Sequence, residues 1–162
     1  MASVIAGSAS LVHKAISFLS SKSSREIHLK KEQDIAIKSL LKEKDVLAVL
    51  ASGFGKSLVF QVFAVVRLLL SFKSNSSNGS VLAVCLLKSV ISDQIEEARS
   101  FGLKAREFEH PEIFKNLPRS PDILFNLAET VSVDGFRDVM RKQQDVHLVV
   151  MDESHMMWVG AR

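Results

Sequence analysis

The chain has 162 residues, of which 47% are hydrophobic and 24% charged, and its formal net charge is +3. This length and composition fit one globular domain with a hydrophobic core. The single cysteine, Cys85, excludes an internal disulfide framework, no zinc-ligand spacing is present, and the mild positive charge is compatible with nucleic acid without arguing for it.

The first 25 residues contain many serines and no acidic residue, a composition that resembles an organelle transit peptide. The alternative, which we favour, is a packing helix over residues 10–19. Its apolar residues recur on one side, at Leu11, Val12, Ala15, Ile16 and Leu19. No membrane span is predicted, because the most apolar stretch, residues 58–70, is interrupted by charge and is shorter than the roughly 18–20 residues that a span needs.

Hydrophobic periodicity then predicts alternating helices and strands along the chain. The predicted helices cover residues 32–42, 56–70, 90–101 and 133–141. The predicted strands cover residues 45–50, 81–86, 104–108, 122–125 and 146–151, and residues 71–80 are predicted to form a polar loop. This alternation predicts an α/β fold, with a mostly parallel sheet flanked by helices.

A glycine-rich turn, ASGFGKS at residues 51–57, follows the first predicted strand. Its two glycines allow the backbone to turn tightly and to bring N–H groups against phosphate oxygens. Lys56 can then reach the β- and γ-phosphates of a nucleotide, and the Ser57 hydroxyl can bind Mg²⁺. The strict phosphate-loop pattern begins with glycine, but Leu50 stands at that position. The prediction therefore depends on the flanking strand and buried helix as well as on the turn.

An acidic pair, within DESH at residues 152–155, follows the last predicted strand. Asp152 stands where a P-loop ATPase places its Mg²⁺-holding carboxylate, and Glu153 can polarise the attacking water as a general base. Ligands of parallel sheets bind beyond the carboxyl ends of the strands, and both motifs fall at that edge. The two motifs together predict ATP hydrolysis, although a solvated turn at a strand end is the alternative for the acidic pair alone.

Five segments in the same order resemble the motifs of RecQ-type DNA helicases of superfamily 2. They are residues 30–37, 44–61, 84–94, 123–129 and 151–155, the last followed by Trp158 and Gly160. The resemblance covers residues 29–162 and implies a RecA-like P-loop NTPase lobe that is truncated after its DExH box. Residues 1–28 would then be an N-terminal extension or accessory helix.

The resemblance implies roles for individual residues. Gln33 would read adenine, with Lys30 beside the base, and His155 would couple the γ-phosphate site to the other lobe. Residues expected to bind ATP are Lys30, Gln33, Ser52, Gly53, Phe54, Gly55, Lys56 and Ser57. Residues expected in catalysis are Lys56, Asp152, Glu153 and His155. Ser57 and Asp152 would hold Mg²⁺, partly through water, and Ser89, Gln94 and Trp158 would contact nucleic acid.

Several positions depart from the family pattern. Lys30 stands in place of an arginine and lacks the planar guanidinium that stacks on a base. The prolines usual at positions 51, 86 and 128 are absent, and fewer residues than usual separate His155 from Trp158. The altered spacing changes the aromatic-rich loop that follows the DExH box.

The sequence matches neither the motif that follows DExH nor a second RecA-like lobe with its arginine finger. Such a finger contributes roughly 10³–10⁵ to turnover, so we expect this chain alone to hydrolyse ATP weakly and not to unwind DNA. Its expected partners are ATP, Mg²⁺, single-stranded or branched DNA and a second lobe in cis. The nucleus is the expected compartment, with mitochondrial targeting as the alternative. A non-catalytic nucleotide- or DNA-binding fragment and an RNA helicase of superfamily 2 stay open as other interpretations.

Overall fold

A computed structural model describes residues 2–51, 53–74, 80–108, 121–131 and 146–152, with the backbone alone at residues 2–8 and 73–74. Within these ranges the elements are α1 (Ala2–Ser23), α2 (Lys31–Leu40), α3 (Lys56–Ser74), β1 (Ser80–Cys85), α4 (Lys88–Ser100), β2 (Ala105–Glu107), β3 (Ile123–Leu127), α5 (Ala128–Val131) and β4 (Val146–Met151). Among the helices described, none has the length and hydropathy to cross a membrane.

The four strands form one parallel sheet in the order β2-β3-β1-β4. All six residues of β1 are buried, as expected for a strand that is covered on both faces. At the carboxyl end of the sheet Val84 of β1 stands opposite Met151 of β4, and the Asp152 N–H donates to the Val84 carbonyl at 3.0 Å. The predicted parallel α/β fold is therefore confirmed, and Asp152 lies at the edge where ligands of such sheets bind.

The sheet packs on both faces, because successive side chains of a strand point to opposite sides. On one face Val81, Ala83 and Phe125 join a large core with α1, α2, α3 and α4. Within that core the rings of Phe60 and Phe125 meet edge to face, 6.2 Å apart. On the other face a smaller cluster contains Leu82, Val84, Phe108 and Leu124.

Most of the predicted elements are present, with shifted bounds. The predicted helix at residues 10–19 is the middle of the longer α1, and its Val12, Ala15 and Leu19 are buried as expected for a packing helix. The helices predicted at 32–42, 56–70 and 90–101 correspond to α2, α3 and α4, and four predicted strands correspond to β1–β4. The predicted loop at 71–80 begins as the end of α3 and ends as the start of β1. The short α5 was not predicted, and the helix predicted at 133–141 lies outside the described residues.

The predicted strand at residues 45–50 is wrong, because this segment has no regular secondary structure. Its Leu47 and Val49 are 84% and 89% exposed, whereas the prediction had both sides covered. The segment and β4 line a cavity of about 660 Å³, and the segment joins no ladder of the described sheet. A short apolar run indicates a tendency to be buried, but a strand also needs a neighbour that accepts its backbone hydrogen bonds, and tertiary packing decides whether one is supplied.

Candidate nucleotide-binding site

The glycine-rich turn leads directly into α3. Gly53 and Gly55 have φ of +73° and +83°, in the left-handed region that glycine adopts without steric cost. The Phe54 N–H donates to the Ala51 carbonyl at 3.2 Å, which closes the turn. Because α3 begins at Lys56, the positive end of its dipole lies at the turn, and within its first turn the Leu58 N–H donates to the Gly55 carbonyl at 3.2 Å. This arrangement suits the binding of an anion such as a phosphate group.

The start of α2 is hydrogen bonded to this turn through Gln33, which is only 2% exposed. Its Nε2 donates to the carbonyls of Phe54 and Gly55, at 3.1 and 2.9 Å, and its Oε1 accepts the Lys30 N–H at 2.8 Å. The Lys30 Nζ donates to the Phe54 carbonyl at 3.3 Å and lies 4.0 Å from the centroid of the Phe54 ring. A Cβ at Gly55 would stand 2.9 Å from Gln33 Nε2, so an alanine there would displace the end of the Gln33 side chain.

Lys56 and Asp152 line the same cavity of about 660 Å³. Asp152 is half-buried directly after β4, and Lys56 is half-buried at the first residue of α3. The structure therefore brings the predicted phosphate-binding lysine and the predicted Mg²⁺-holding carboxylate to one cavity, although they lie far apart in the sequence. Arg67 and His147 line the same cavity, and Arg67 Nη2 lies 2.9 Å from His147 Nε2.

Ser57 lines a different cavity, of about 490 Å³, together with Gly55 and Gln61. Consecutive residues of a helix point about 100° apart, which is why Ser57 and Lys56 face different spaces. The two predicted Mg²⁺ ligands therefore line different cavities in this structure. Their chemistry fits the ion, because Mg²⁺ prefers oxygen donors and takes one or two protein ligands alongside the phosphates of its substrate. In the described ranges no group of three or more His, Cys, Asp or Glu side chains could hold a metal ion by itself.

Two residues predicted to contact nucleic acid lie on α4, which begins just after the carboxyl end of β1. Ser89 is exposed in the first turn, and Gln94 is half-buried further along the helix. Ser89 is thus at the same edge of the sheet as Asp152. Ser52, Glu153, His155 and Trp158 lie outside the described residues.

Sequence reasoning missed three features of the site. It did not anticipate that Phe54 would be the partner of Lys30, although a single bulky residue between two glycines was a usable signal. It also did not place Arg67 and His147 at the cavity. The charge of Arg67 within an apolar helix was visible, but its partner 80 residues away in sequence was not.

Comparison with known proteins is consistent with this geometry. The family model described as DEAD/DEAH box helicase matches residues 30–161. The ATP-dependent helicase SGS1 of Saccharomyces cerevisiae is 34% identical over 73 residues, a match that covers 45% of this chain and 5% of the yeast protein.

A similar solved structure is that of a nuclease-deletion mutant of the Type ISP restriction-modification enzyme LlaGI in complex with a DNA substrate mimic. Its identity to this chain is 17% and the TM-score is 0.52, over 80% of this chain and 15% of that one. This likeness concerns the fold alone, and the predicted RecA-like α/β architecture is confirmed.

Proposed function

We propose, since the chain belongs to the DEAD/DEAH box helicase family, that it is the ATP-binding lobe of a RecQ-type DNA helicase. It binds ATP with Mg²⁺ and hydrolyses it, and hydrolysis is coupled to the unwinding of DNA when a second RecA-like lobe is present in cis. The RecQ assignment is supported by the order of the sequence motifs, and a helicase function is supported by the similarity to the yeast ATP-dependent helicase.

The observation that carries the proposal is the shared cavity of Lys56 and Asp152. In the proposed reaction the Lys56 ammonium neutralises charge on the β- and γ-phosphates, and the N–H groups at the start of α3 bind the same oxygens. Asp152 and Ser57, which line different cavities in this structure, would together hold Mg²⁺, and the ion would supply positive charge next to the phosphates. Glu153 polarises the attacking water, and His155 links the site to the second lobe. These last two roles come from the motif alone.

The proposed nucleic-acid contacts are Ser89, Gln94 and Trp158. The exposed Ser89 stands at the carboxyl edge of the sheet, where a bound strand would lie close to the nucleotide. DNA as the partner is proposed from the resemblance of the ordered sequence motifs to those of RecQ-type DNA helicases. The nucleus as the compartment stays a prediction from the resemblance.

The experiment that tests the nucleotide site is a calorimetric titration of the chain with Mg²⁺-ATP. Replacing Lys56 with alanine removes a charged hydrogen-bond donor, so we expect binding at least about tenfold weaker. Lys42→Ala is the matched control, because Lys42 is an exposed lysine that lines neither cavity. Equal binding by the Lys56→Ala variant and the wild type would overturn the assignment of the site.

A non-catalytic nucleotide-binding module is the second candidate. It is favoured by one observation: residues 44–50 stand outside the sheet, so strand pairing does not fix the turn relative to Asp152. ATP turnover by a longer chain that contains a second lobe separates the two candidates. Multiple turnover that is stimulated by single-stranded DNA supports the helicase, and binding without turnover supports the module. Stronger stimulation by RNA than by DNA would point to an RNA helicase.

A further inference from the structure

A hydrogen bond joins α3, which begins at the phosphate turn, to α4, which carries two of the proposed nucleic-acid contacts. Gln61 Nε2 on α3 donates to Glu97 Oε2 on α4 at 2.8 Å. We propose that this bond couples the two sites, so that a bound nucleotide and a bound single strand of DNA each raise the affinity for the other. Gln61 and Glu97 then act as positioning residues. The inference rests on the proposed function, because it requires that both ligands bind.

The bond lies one helical turn from a proposed ligand contact on each helix. Gln61 stands four residues after Ser57, and residues at this spacing lie on one face of a helix. Glu97 stands three residues after Gln94, which again places the two on one face. Ser57, Gln61 and Glu97 line the same cavity of about 490 Å³. A displacement of α3 at the phosphate turn would therefore move the bond, and through it the face of α4 that holds Gln94.

The two helices are otherwise held mainly by other elements. Both contribute to the large core on one face of the sheet. In the described part of the chain α3 packs chiefly against α1 and α2, whereas α4 packs chiefly against β2 and β3. Apolar contacts are non-directional, but a hydrogen bond requires a defined distance and angle. The bond between Gln61 and Glu97 is therefore suited to fix the position of α3 relative to α4.

Stability does not account for an amide at position 61. Gln61 is 0% exposed in an otherwise apolar stretch of α3, and its Oε1 has no partner among the described residues. A buried polar atom without a partner costs free energy. The bond to Glu97 offsets part of this cost, since a hydrogen bond to a charged group is stronger than one to a neutral group. A leucine would fill the same space without that cost, so the amide contributes position rather than stability.

The expected size of the coupling follows from the exposure of Glu97. Because Glu97 is an exposed residue, water competes for its carboxylate and weakens the bond to Gln61. We expect each ligand to raise the affinity for the other about fivefold, which corresponds to about 1 kcal/mol. The factor is the same in both directions, because the coupling free energy between two binding sites is reciprocal.

The test is a calorimetric titration of the whole chain with Mg²⁺-ATP, with and without a saturating single-stranded oligothymidylate. Gln61→Leu and Glu97→Ala each remove the bond, so the ratio of the two ATP affinities should fall to about one. The affinity for ATP alone should change by less than about twofold. Glu97→Gln keeps an acceptor oxygen and should retain the coupling. Glu96→Ala is the matched control, since Glu96 is the adjacent exposed acid and its loss changes the charge equally.

The outcomes separate the inference from the proposed function. A wild-type ratio of about one, or an unchanged ratio in both Gln61→Leu and Glu97→Ala, would overturn the inference. The nucleotide site would still stand in that case, provided that Lys56→Ala weakens the binding of ATP. Failure of the oligonucleotide to bind would overturn the inference, and failure of ATP to bind would overturn the proposed function with it. Glu97 is exposed, so Glu97→Ala decides the matter even if Gln61→Leu does not fold.

Discussion

Asn126 on β3 is fully buried, and within the described part of the chain neither its Nδ2 nor its Oδ1 has a hydrogen-bond partner. Its side chain points to the same face of the sheet as Leu124, because side chains two residues apart on a strand share a face. That face carries the small cluster of Leu82, Val84 and Phe108, and Val84 is the direct neighbour of Asn126 in the sheet. A polar amide thus occupies an apolar position. We predict that Asn126→Val stabilises the protein.

The expected gain in the free energy of unfolding follows from the unpaired amide of Asn126. A buried polar group without a partner costs about 1–3 kcal/mol, and replacing it by an apolar group of similar shape removes that cost. Valine is close to asparagine in size and suits a strand, but a small loss from imperfect packing reduces the gain. We expect an increase of about 1–2 kcal/mol in the free energy of unfolding. For a chain of this length that corresponds to a rise in Tm of about 2–8 °C.

The assay is urea unfolding followed by circular dichroism. If the slope of the free energy of unfolding against urea concentration is the same in the variant and the wild type, a change in the midpoint reports a change in stability. Gln61→Leu is the matched control. Gln61 is also a fully buried amide, and its oxygen has no partner among the described residues, but its Nε2 donates to Glu97 Oε2 at 2.8 Å. The leucine loses this bond, so we expect a change near zero. A loss of stability in Asn126→Val at an unchanged slope would refute the reasoning.

Three further predictions concern the turn, the segment before it and a buried carboxyl. Burial raises the pKa of Asp122 despite the hydrogen bond from the Lys104 N–H, so the native state favours the protonated form. The stability that the protonated Asp122 carboxyl contributes is complete below the pKa that this carboxyl has in the unfolded chain. It is lost as pH rises through the higher pKa of the native state. Asp122→Asn should remove that decline in urea unfolding curves measured between pH 4 and 7, and an unaltered decline would contradict the assignment. Gly55→Ala places a Cβ 2.9 Å from Gln33 Nε2 at a φ of +83° and should cost about 1–2 kcal/mol in urea unfolding; no cost would mean that the turn does not hold residue 55 at that φ. Leu47→Lys should change stability by less than about 0.5 kcal/mol, whereas a loss of several would place Leu47 in a buried strand.

The elements that the sequence predicted well are those whose burial pattern is set locally. The helix face of Val12, Ala15 and Leu19 and the fully buried β1 were both visible as hydrophobic periodicity. The failure at residues 45–50 has the opposite cause. An apolar run there does not say which strand will accept its hydrogen bonds, and in the structure none of the described strands does.

The features of the candidate site also fall into those that follow from local sequence and those that depend on packing. The positions of Lys56 at the start of a helix and of Asp152 at the end of a strand follow from the motifs and the alternation of elements. The contacts that Gln33 makes with the turn could not be read from sequence, because an amide can bind either a base or a backbone group and packing selects the partner. Its contacts with the Phe54 and Gly55 carbonyls depend on α2 lying against the turn, which no local pattern specifies.

These contacts determine which side of the fold positions the phosphate turn. Residues 44–50 enter the turn without pairing to the sheet, whereas Gln33 and Lys30 bind it directly from α2. Changes at Gln33 and Lys30 should therefore affect phosphate binding more than changes in residues 44–50, even though that segment is nearer to the turn in sequence. Lys56 and Asp152 line the same cavity, Lys56 at the end of the turn and Asp152 at the end of a strand. A triphosphate bound with Mg²⁺ between them would tie the turn to the sheet, so binding should raise the stability of the whole chain by the amount that its affinity dictates.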